Sequence, residues 1–213
     1  MSWLAIDTTG ANCTVALRLP GGAEHVQSDP IGRGHAERLA PMVESLLKQA
    51  GINPATLTRI GVTTGPGSFA GTRVGVAFAR GLALACQADC IGLSNLAILA
   101  RQAGPRPALA VMHDAKRGEV ILQVWRDGKA ESPERCPVDG LEVRIDELGG
   151  RDCVITGSGA RHAGSGFDDL GIETLDPVTL LTMTGELASA DSPPIPFYAR
   201  PPDAKLPGGV DPA

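Results

Sequence analysis

The sequence predicts an α/β protein made of two related halves, and three segments lead to that prediction. Residues 60–88 read as the strand, glycine-rich loop and apolar helix from which parallel sheets are usually built. Residues 3–19 and 108–125 share one order: an apolar strand, an aspartate, a turn and a second strand. The shared order indicates that the second half follows the plan of the first, although too few residues are identical to prove a repeat.

The boundary between the halves is predicted at Gly104-Pro105-Arg106-Pro107, where glycine and proline interrupt regular structure. We therefore assign residues 1–104 to a first lobe and residues 105–207 to a smaller second lobe. In the proline-rich tail, residues 197–200 are expected to lie extended against the folded lobes or a partner. Residues 208–213 are expected to be disordered.

The composition excludes several classes of protein. The chain has 213 residues, 43% of them hydrophobic, and its net charge of −5 argues against a stand-alone nucleic-acid binder. The five cysteines are odd in number and lack CxxC spacing, which favours free thiols in a reducing cytoplasm over disulfides or zinc. Neither a signal peptide nor a membrane span is expected.

The first lobe is predicted to open with a hairpin, and a polar corner follows its first strand. Three strands are predicted here, at residues 3–7, 13–19 and 23–27. Asp7, Thr8 and Thr9 form the corner and present a carboxylate, two hydroxyls and backbone N–H groups. These groups suit a phosphate or a magnesium-bound water. They suit equally an Asx-type turn that holds only itself.

The next element is predicted to be an amphipathic helix over residues 35–50, ended by Gly51. Its apolar stripe consists of Leu39, Met42, Val43, Leu46, Leu47 and Ala50. His35 stands at the entrance of the helix, where we expect it to cap the helix or make a contact rather than to catalyse.

The central helix is predicted over residues 72–88, with Thr72 as its N-cap. One apolar stripe consists of Val74, Ala77, Phe78, Gly81, Leu82 and Ala85. The other side carries only two charges, at Arg73 and Arg80, and is otherwise mostly apolar or small, with Val76, Ala79, Ala83 and Leu84. Because an ordinary surface helix has a polar face, this helix either meets a partner or lies wholly buried within its own lobe.

The rest of the chain gives fewer signals. Strands are predicted at residues 90–93, 108–112, 119–125 and 154–156, and helices at residues 95–103 and from Asp176-Pro177 to about residue 190. Residues 126–150 are polar and predicted to be loop. The glycine-rich turn around Ser158 either admits a nucleotide or is only a turn.

Six segments together resemble the TsaB (YeaZ) family. They are residues 4–9, 13–17, 35–41, 65–75, 114–120 and 198–202. The most diagnostic is the Gly-Pro-Gly-Ser-Phe loop that begins at Gly65, with Gly71 and Arg73 behind it. The resemblance is strong over residues 2–125 and patchier to about residue 207.

The resemblance implies the fold shared by actin, sugar kinases and Hsp70, with a mixed sheet in each lobe. It also implies a role in making threonylcarbamoyladenosine beside the anticodon of tRNA. The family is similar to the transferase TsaD and is understood as its non-catalytic partner, with the ATPase TsaE joining them. TsaD carries a His-x-x-x-His metal pair, but the corresponding residues here, 94–99, contain no histidine.

We therefore expect no catalytic residue, no metal site and no cofactor. The docking surface for a TsaD-like partner is predicted on the first and central helices, at His35, Leu39, Met42, Val43, Leu46, Arg73, Val76, Ala79, Arg80 and Ala83. The chain is expected to be a homodimer when alone and to meet tRNA only through the complex. The alternative is a small ATPase or kinase whose nucleotide site uses Asp7, Thr8, Thr9 and Ser158. A peptidase is a remoter alternative, since the sequence lacks HExxH and a convincing Ser/His/Asp set.

Overall fold

The first lobe is built on a five-stranded mixed sheet. A computed structural model of the chain describes residues 1–198. The strands are β1 (Ser2–Asp7), β2 (Asn12–Arg18), β3 (Glu24–Pro30), β4 (Leu57–Gly65) and β5 (Asp89–Ser94), in the spatial order β3-β2-β1-β4-β5. β1, β2 and β3 pair antiparallel, whereas β4 and β5 join β1 in parallel.

The second sheet repeats this plan in a reduced form. Its strands are β6 (Ala108–Lys116), β7 (Glu119–Arg126), β8 (Lys129–Ala130), β9 (Glu134–Pro137) and β10 (Val154–Thr156). β6 pairs antiparallel with β7 and parallel with β10, while β8 and β9 both pair with β7. β6, β7 and β10 thus correspond to β1, β2 and β4. The predicted α/β fold with two mixed sheets is confirmed.

Five helices cover the sheets. They are α1 (His35–Gln49), α2 (Phe69–Cys86), α3 (Asn95–Ala103), α4 (Leu141–Gly149) and α5 (Pro177–Glu186). α1 and α2 share one apolar core on the first sheet, and α5 packs on β1, β2 and β4 from the other face. α3 lies between the sheets, where Leu96 and Leu99 meet Val111 of β6. α4 closes the outer face of the second sheet.

The central helix begins earlier than its sequence indicates. Ser68, not Thr72, is the N-cap, because its hydroxyl accepts a hydrogen bond from the N–H of Gly71 at 3.3 Å. Thr72 instead lies inside the first turn and donates to the carbonyl of Ser68 at 2.7 Å. The helix ends at Cys86, and Gln87 caps it in the left-handed conformation.

The fully buried side of α2 is not the stripe that we expected. Three members of that stripe, Val74, Phe78 and Leu82, are half-buried at the edge of the same core. Its buried residues are Gly71, Thr72, Gly75, Val76, Ala79 and Ala83. A β-carbon on Gly71 or Gly75 would collide with Thr8 of the first sheet. The helix can therefore approach β1 this closely only where it carries glycine. Close packing of helix on strand therefore turned the small residues inward and left Leu84 83% exposed.

Two predictions for the second half are wrong. Residues 126–150 are not a plain loop, because they contain β8, β9 and α4, the last anchored by buried Leu141 and Ile145. The helix that Asp176 caps forms as predicted and ends at Glu186. It packs on the first sheet, however, so the chain returns to the first lobe within the range 105–207 assigned to the second.

The tail is pinned as far as it is described. The carbonyl of Ser192 accepts a hydrogen bond from the N–H of Gly92 at 2.8 Å, and the N–H of Phe197 donates to the carbonyl of Thr64 at 2.7 Å. The prediction of an extended, anchored segment is confirmed for residues 197 and 198. Its continuation at residues 199 and 200, and the disorder predicted for residues 208–213, lie outside the described residues.

Within residues 1–198, α2 alone is long and apolar enough to match a membrane span, with a mean hydropathy of 1.2. One of its sides packs on β4 and β1 of the first sheet. Packing in the core of the lobe therefore accounts for the apolar residues of that side only, since 33% of the helix is buried.

Candidate functional site

The Asp7 corner holds itself together. The carboxylate is 8% exposed, and its Oδ1 accepts hydrogen bonds from the N–H of Thr9 at 2.9 Å and its hydroxyl at 2.6 Å. The hydroxyl of Thr63, on the neighbouring strand β4, donates to the same oxygen at 2.7 Å. Of the two arrangements that the sequence allowed, the Asx-type turn is therefore present.

Thr8 is engaged with the central helix. Its side chain is fully buried, and its hydroxyl donates to the carbonyl of Gly71 at 2.7 Å. This bond fixes the start of α2 against the end of β1. A nucleotide would have to displace that contact to reach the Thr8 hydroxyl, so Thr8 is the weakest of the predicted nucleotide-site residues.

Asn95 completes the corner, and the sequence analysis missed it. Its Nδ2 donates to the hydroxyl of Thr9 at 2.7 Å and to the carbonyl of Pro66 at 3.1 Å. Its Oδ1 accepts from the N–H of Gly65 at 3.3 Å. The available signal was its place directly after β5, because the carboxyl ends of parallel strands meet at one edge of a sheet.

A cavity of about 580 Å³ opens between the two sheets beside this corner. Asp7, Thr9 and Ser158 all line it, whereas Thr8 does not. The other lining residues are Gly10, Ala11, Asn12, Thr14, Ser28, Pro66, Asn95, Leu96, Leu99, His113, Glu173, Thr174, Leu175 and Pro177. Among the described residues that line it there are two carboxylates and neither lysine nor arginine. The lining therefore offers no positive charge to a bound polyphosphate.

The second lobe has a carboxylate in the equivalent position, at the end of β6. Asp114 is 8% exposed, and its own N–H donates to the hydroxyl of Ser158 at 3.1 Å. Its oxygens accept from the N–H and the ammonium of Lys116, both at 2.8 Å, and from the guanidinium of Arg161. Burial by itself would raise the pKa of Asp114, but the hydrogen bonds and charges of Lys116 and Arg161 outweigh it and hold that pKa well below its usual range.

The histidines serve different contacts. His35 is buried at the start of α1, and its Nε2 lies 3.3 Å from the carbonyl oxygen of Asn12, which fits the contact role predicted for it. His113 lines the cavity, and burial lowers its pKa despite the opposing charge of Asp114. In the described part of the chain, no three His, Cys, Asp or Glu side chains come together as metal ligands.

The cysteines are structural thiols in the described residues. Cys13, Cys136 and Cys153 are buried, and Cys86 and Cys90 are half-buried. Burial raises the pKa of Cys90 to about 11, and burial together with nearby Asp29 raises that of Cys13 to about 11 as well. These two thiols therefore remain protonated near neutral pH and lack the thiolate that a nucleophile or a metal ligand needs.

The residues predicted for docking are mostly inside the first lobe. Eight are buried: His35, Leu39, Met42, Val43, Leu46, Val76, Ala79 and Ala83. Only Arg73 and Arg80 are exposed. The apolar stripe of α1 was correctly identified as a stripe, but it packs on the sheet together with the small side of α2, because both sides are needed to build one core.

The surface that α2 does present is a different one. We call it the α2 outer face, and it consists of Phe69, Ala70, Arg73, Ala77, Arg80, Gly81, Leu84 and Ala85. At its start the ring of Tyr198 packs on that of Phe69, with ring centres 4.9 Å apart, and the guanidinium of Arg73 lies 4.9 Å from the Phe69 ring centre. The anchored tail thus reaches the edge of this face.

The sequence of the chain is similar to proteins of tRNA modification. The family model for TsaD, the tRNA N6-adenosine threonylcarbamoyltransferase, matches residues 28–132. The tRNA threonylcarbamoyladenosine biosynthesis protein TsaB of Escherichia coli is 32% identical over 187 residues, which cover 82% of this chain and 77% of that protein. TsaB of Bacillus subtilis is 33% identical over 59% of this chain and 56% of its own length.

A solved structure agrees with the sequence matches. YeaZ from Pseudomonas aeruginosa superposes with a TM-score of 0.74 at 28% identity, over 92% of this chain and 99% of that one. This superposition covers nearly the whole chain, whereas the TsaD family model matches about half of it. The chain therefore belongs to the TsaB (YeaZ) family of tRNA threonylcarbamoyladenosine biosynthesis proteins.

Proposed function

We propose that this chain is a non-catalytic subunit that binds a TsaD-like transferase, together with a TsaE-like ATPase, for threonylcarbamoylation of the adenosine beside the anticodon in tRNA. The complex would work in the cytoplasm. The observation that carries the proposal is the α2 outer face, an apolar helix surface that the described residues of the chain leave open to solvent.

The composition of the α2 outer face fits the core and rim of a protein interface. Leu84 is 83% exposed and Phe69 is 39% exposed, which leaves two large apolar side chains available to a partner. Gly81 has open space where a β-carbon would stand, so a second helix has room to approach. Arg73 and Arg80 are exposed on the same side. Arginine is enriched at protein interfaces, so both side chains suit the edge of such a contact.

The similarity to TsaD supports a contact between helix pairs. The TsaD family model covers residues 28–132 and therefore includes both α1 and α2 of this chain. A TsaD-like protein thus has the corresponding helix pair, and two such pairs can meet as a four-helix arrangement. Two copies of this chain can form the same contact with each other, since a surface that matches a paralogue also suits an isologous dimer.

The state of the Asp7 corner supports a subunit without catalysis of its own. One carboxylate oxygen already accepts three hydrogen bonds, and the Thr8 hydroxyl is committed to α2. The rival function, a small ATPase or kinase, is favoured by one observation: Asp7, Thr9 and Ser158 do line one cavity. ATP hydrolysis by the purified chain that Asp7→Ala abolishes would establish the rival instead.

The docking proposal is tested by Leu84→Glu. A carboxylate placed in the centre of an interface is left unpaired, so affinity for the TsaD-like partner should fall about 30-fold or more, the loss typical of an interface hot spot. Self-association should weaken in parallel. Binding is measured by calorimetry and dimerisation by sedimentation, with circular dichroism as the folding check.

The matched control is Val143→Glu on α4. Val143 is 63% exposed on a helix of the other lobe, so the same charge is introduced at a similar surface position. This variant should bind normally. A folded Leu84→Glu protein that binds the partner as tightly as Val143→Glu does would refute the docking surface. Ala79→Trp is unsuitable for this test, because Ala79 is fully buried against its own sheet.

A further inference from the structure

The turn between β6 and β7 places basic residues where the backbone disfavours them. Lys116 and Arg117 have φ angles of 64° and 55°, and Gly118 follows with 76°. Glycine, asparagine and aspartate are the usual residues in this left-handed region, since a longer side chain crowds the backbone there. Backbone conformations of this kind persist where the surrounding structure enforces them, and they cluster at functional sites.

Here Asp114 supplies the enforcement. Its buried carboxylate accepts from the N–H of Lys116 and binds its ammonium, both at 2.8 Å, and it also pairs with Arg161. The side chain of Lys116 is nevertheless 75% exposed, and that of Arg161 is 53% exposed. One hidden anion therefore holds two cations in place at the surface, so their side chains lose less entropy when they bind a ligand.

Residues of β9 and of the short 3-10 turn at Ala160–His162 extend this basic surface. We call it the basic tip, and it consists of Lys116, Arg117, Arg135, Arg161 and His162. Arg135 lies 3.5 Å from Glu119 with 49% of its side chain exposed, and His162 lies 3.9 Å from Asp114. The tip has one lysine and three arginines, and its described ion pairs include those of Lys116 and Arg161 with Asp114 and of Arg135 with Glu119. The chain as a whole has a net charge of −5, so the tip runs against the average of the molecule.

We propose that the basic tip binds the phosphodiester backbone of RNA. Lysine and arginine at fixed spacing are the side chains that commonly contact backbone phosphates, and such contacts position a nucleic acid without reading its sequence. The proposal rests on the place of the family in tRNA modification but not on the docking role of α2. It replaces the expectation that tRNA meets this chain only indirectly.

Two other anionic ligands fit the tip less well. One is a nucleotide, for which the interlobe cavity is the enclosed site nearby. That cavity would place the nucleotide against Asp7 and Glu173, and its described lining includes no lysine or arginine and none of the tip residues. An acidic protein surface offers carboxylates, but the tip is small and consists of charged side chains with little apolar area to form an interface core. RNA needs no such core, because release of its counterions drives the binding.

The test is Arg117→Gly in the full-length chain. Glycine suits the left-handed φ of residue 117, so the fold should be kept or stabilised while one cation is lost. The matched control is Arg151→Ala, which removes an exposed arginine before β10, at the opposite end of the second sheet. Binding of a labelled anticodon stem–loop RNA is followed by fluorescence anisotropy between about 50 and 200 mM salt.

The wild-type chain should bind the RNA with a Kd of about 100 μM or tighter at the lowest salt. Arg117→Gly should weaken binding about threefold and flatten the plot of log K against log salt by about one unit, the effect of one lost phosphate contact. Arg151→Ala should change neither quantity. ATP at equal phosphate concentration should not displace the RNA.

The proposal is overturned by no RNA binding of the wild type, by equal behaviour of the two variants, or by displacement of the RNA by ATP. If an acidic peptide such as polyglutamate binds the tip more tightly than the RNA does, the ligand is a protein and the proposal is wrong. Arg117→Gly should still bind the TsaD-like partner normally, so failure here and failure of the docking surface are distinguishable.

Discussion

The two lobes place a buried aspartate at the same point of the same topology and hold it in opposite ways. Asp7, at the end of β1, accepts from two hydroxyls and a backbone N–H. Asp114, at the end of β6, accepts from an ammonium, a guanidinium and a backbone N–H. Each carboxylate is 8% exposed.

The difference lies in what each carboxylate organises. The partners of Asp7 are interior groups, and through Thr9 they connect to Asn95 and the loop before α2. The partners of Asp114 are side chains that extend into solvent. The first corner therefore fixes the start of α2 against the first sheet, whereas the second corner holds charged side chains at the surface. The equivalent position in the two lobes thus keeps an aspartate, but the two aspartates organise different parts of the protein.

The largest effect is expected from Gly71→Ala, which breaks the first corner. A β-carbon at residue 71 would collide with the carbonyl oxygen of Thr8, a backbone atom that cannot move aside. We expect a loss of about 3 kcal/mol in the free energy of unfolding, at the upper end for overpacking. Urea denaturation measures it. Gly81→Ala on the same helix meets nothing within 4 Å and should stabilise the protein slightly. Equal stability of the two variants would contradict the close approach.

A smaller effect is expected from Asp7→Asn. The amide oxygen can still accept, but three hydrogen bonds lose their charged acceptor, and each such bond is weaker when neutral. The unfolding free energy should fall by about 2 kcal/mol at pH 7. If stability is unchanged while a nucleotide no longer binds, the corner is a ligand site rather than a structural lock.

Asp114→Asn should cost less, about 1 kcal/mol at pH 7, because Lys116 and Arg161 can turn into water once the carboxylate is neutral. Its pH dependence is the sharper measurement. The pKa of Asp114 is lower in the folded than in the unfolded chain, so its contribution is present above the unfolded pKa near 4 and is lost as the pH falls through the lower folded pKa.

The stability difference between wild type and Asp114→Asn should therefore shrink as the pH falls below about 4. Denaturation curves at several pH values test it. A difference that stays constant from neutral pH down through the acid range would show that the pairing of Asp114 is not what stabilises the turn.

The smallest effect is expected from Ser158→Ala. This change removes the hydroxyl that accepts the N–H of Asp114 at 3.1 Å. Ser158 is half-buried beside the cavity, so water can replace the hydroxyl and the loss should stay below about 1 kcal/mol. Thr63→Val, the change at a fully buried donor to Asp7, should cost more when measured in the same denaturation assay. A reversed order would mean that the second corner is the more tightly organised one.

Local patterns in the sequence were enough to predict most of the regular elements. Ser94 and Asp176 were recognised as helix starts, and both side chains do accept the capping hydrogen bond. The hairpin of β6 and β7 and the stripe of α1 were also predicted. α4 was missed because its turn of apolar residues, Leu141 and Ile145, is short and lies among charged residues.

The candidate site was predicted only in part. Asp7, Thr9 and Ser158 were identified and do meet at one cavity, but Asn95 was not, because its role depends on β5 ending beside β4. α2 was predicted, but the side of it that packs on the first sheet was not. A helix that is apolar on both sides has a periodicity that does not say which side is inward.

The sequence by itself determined most of the elements of the first lobe, the helix starts at Ser94 and Asp176, and the hairpin that opens each half. These features depend on hydrogen bonds and backbone angles within a few residues, which a local pattern records. The tertiary structure alone decided that Gly71 and Gly75 turn α2 inward, that α5 returns to the first sheet, and that Asp114 gathers its cations. Each of these depends on how closely two backbones approach or on charges far apart in the chain, and no local pattern contains that distance.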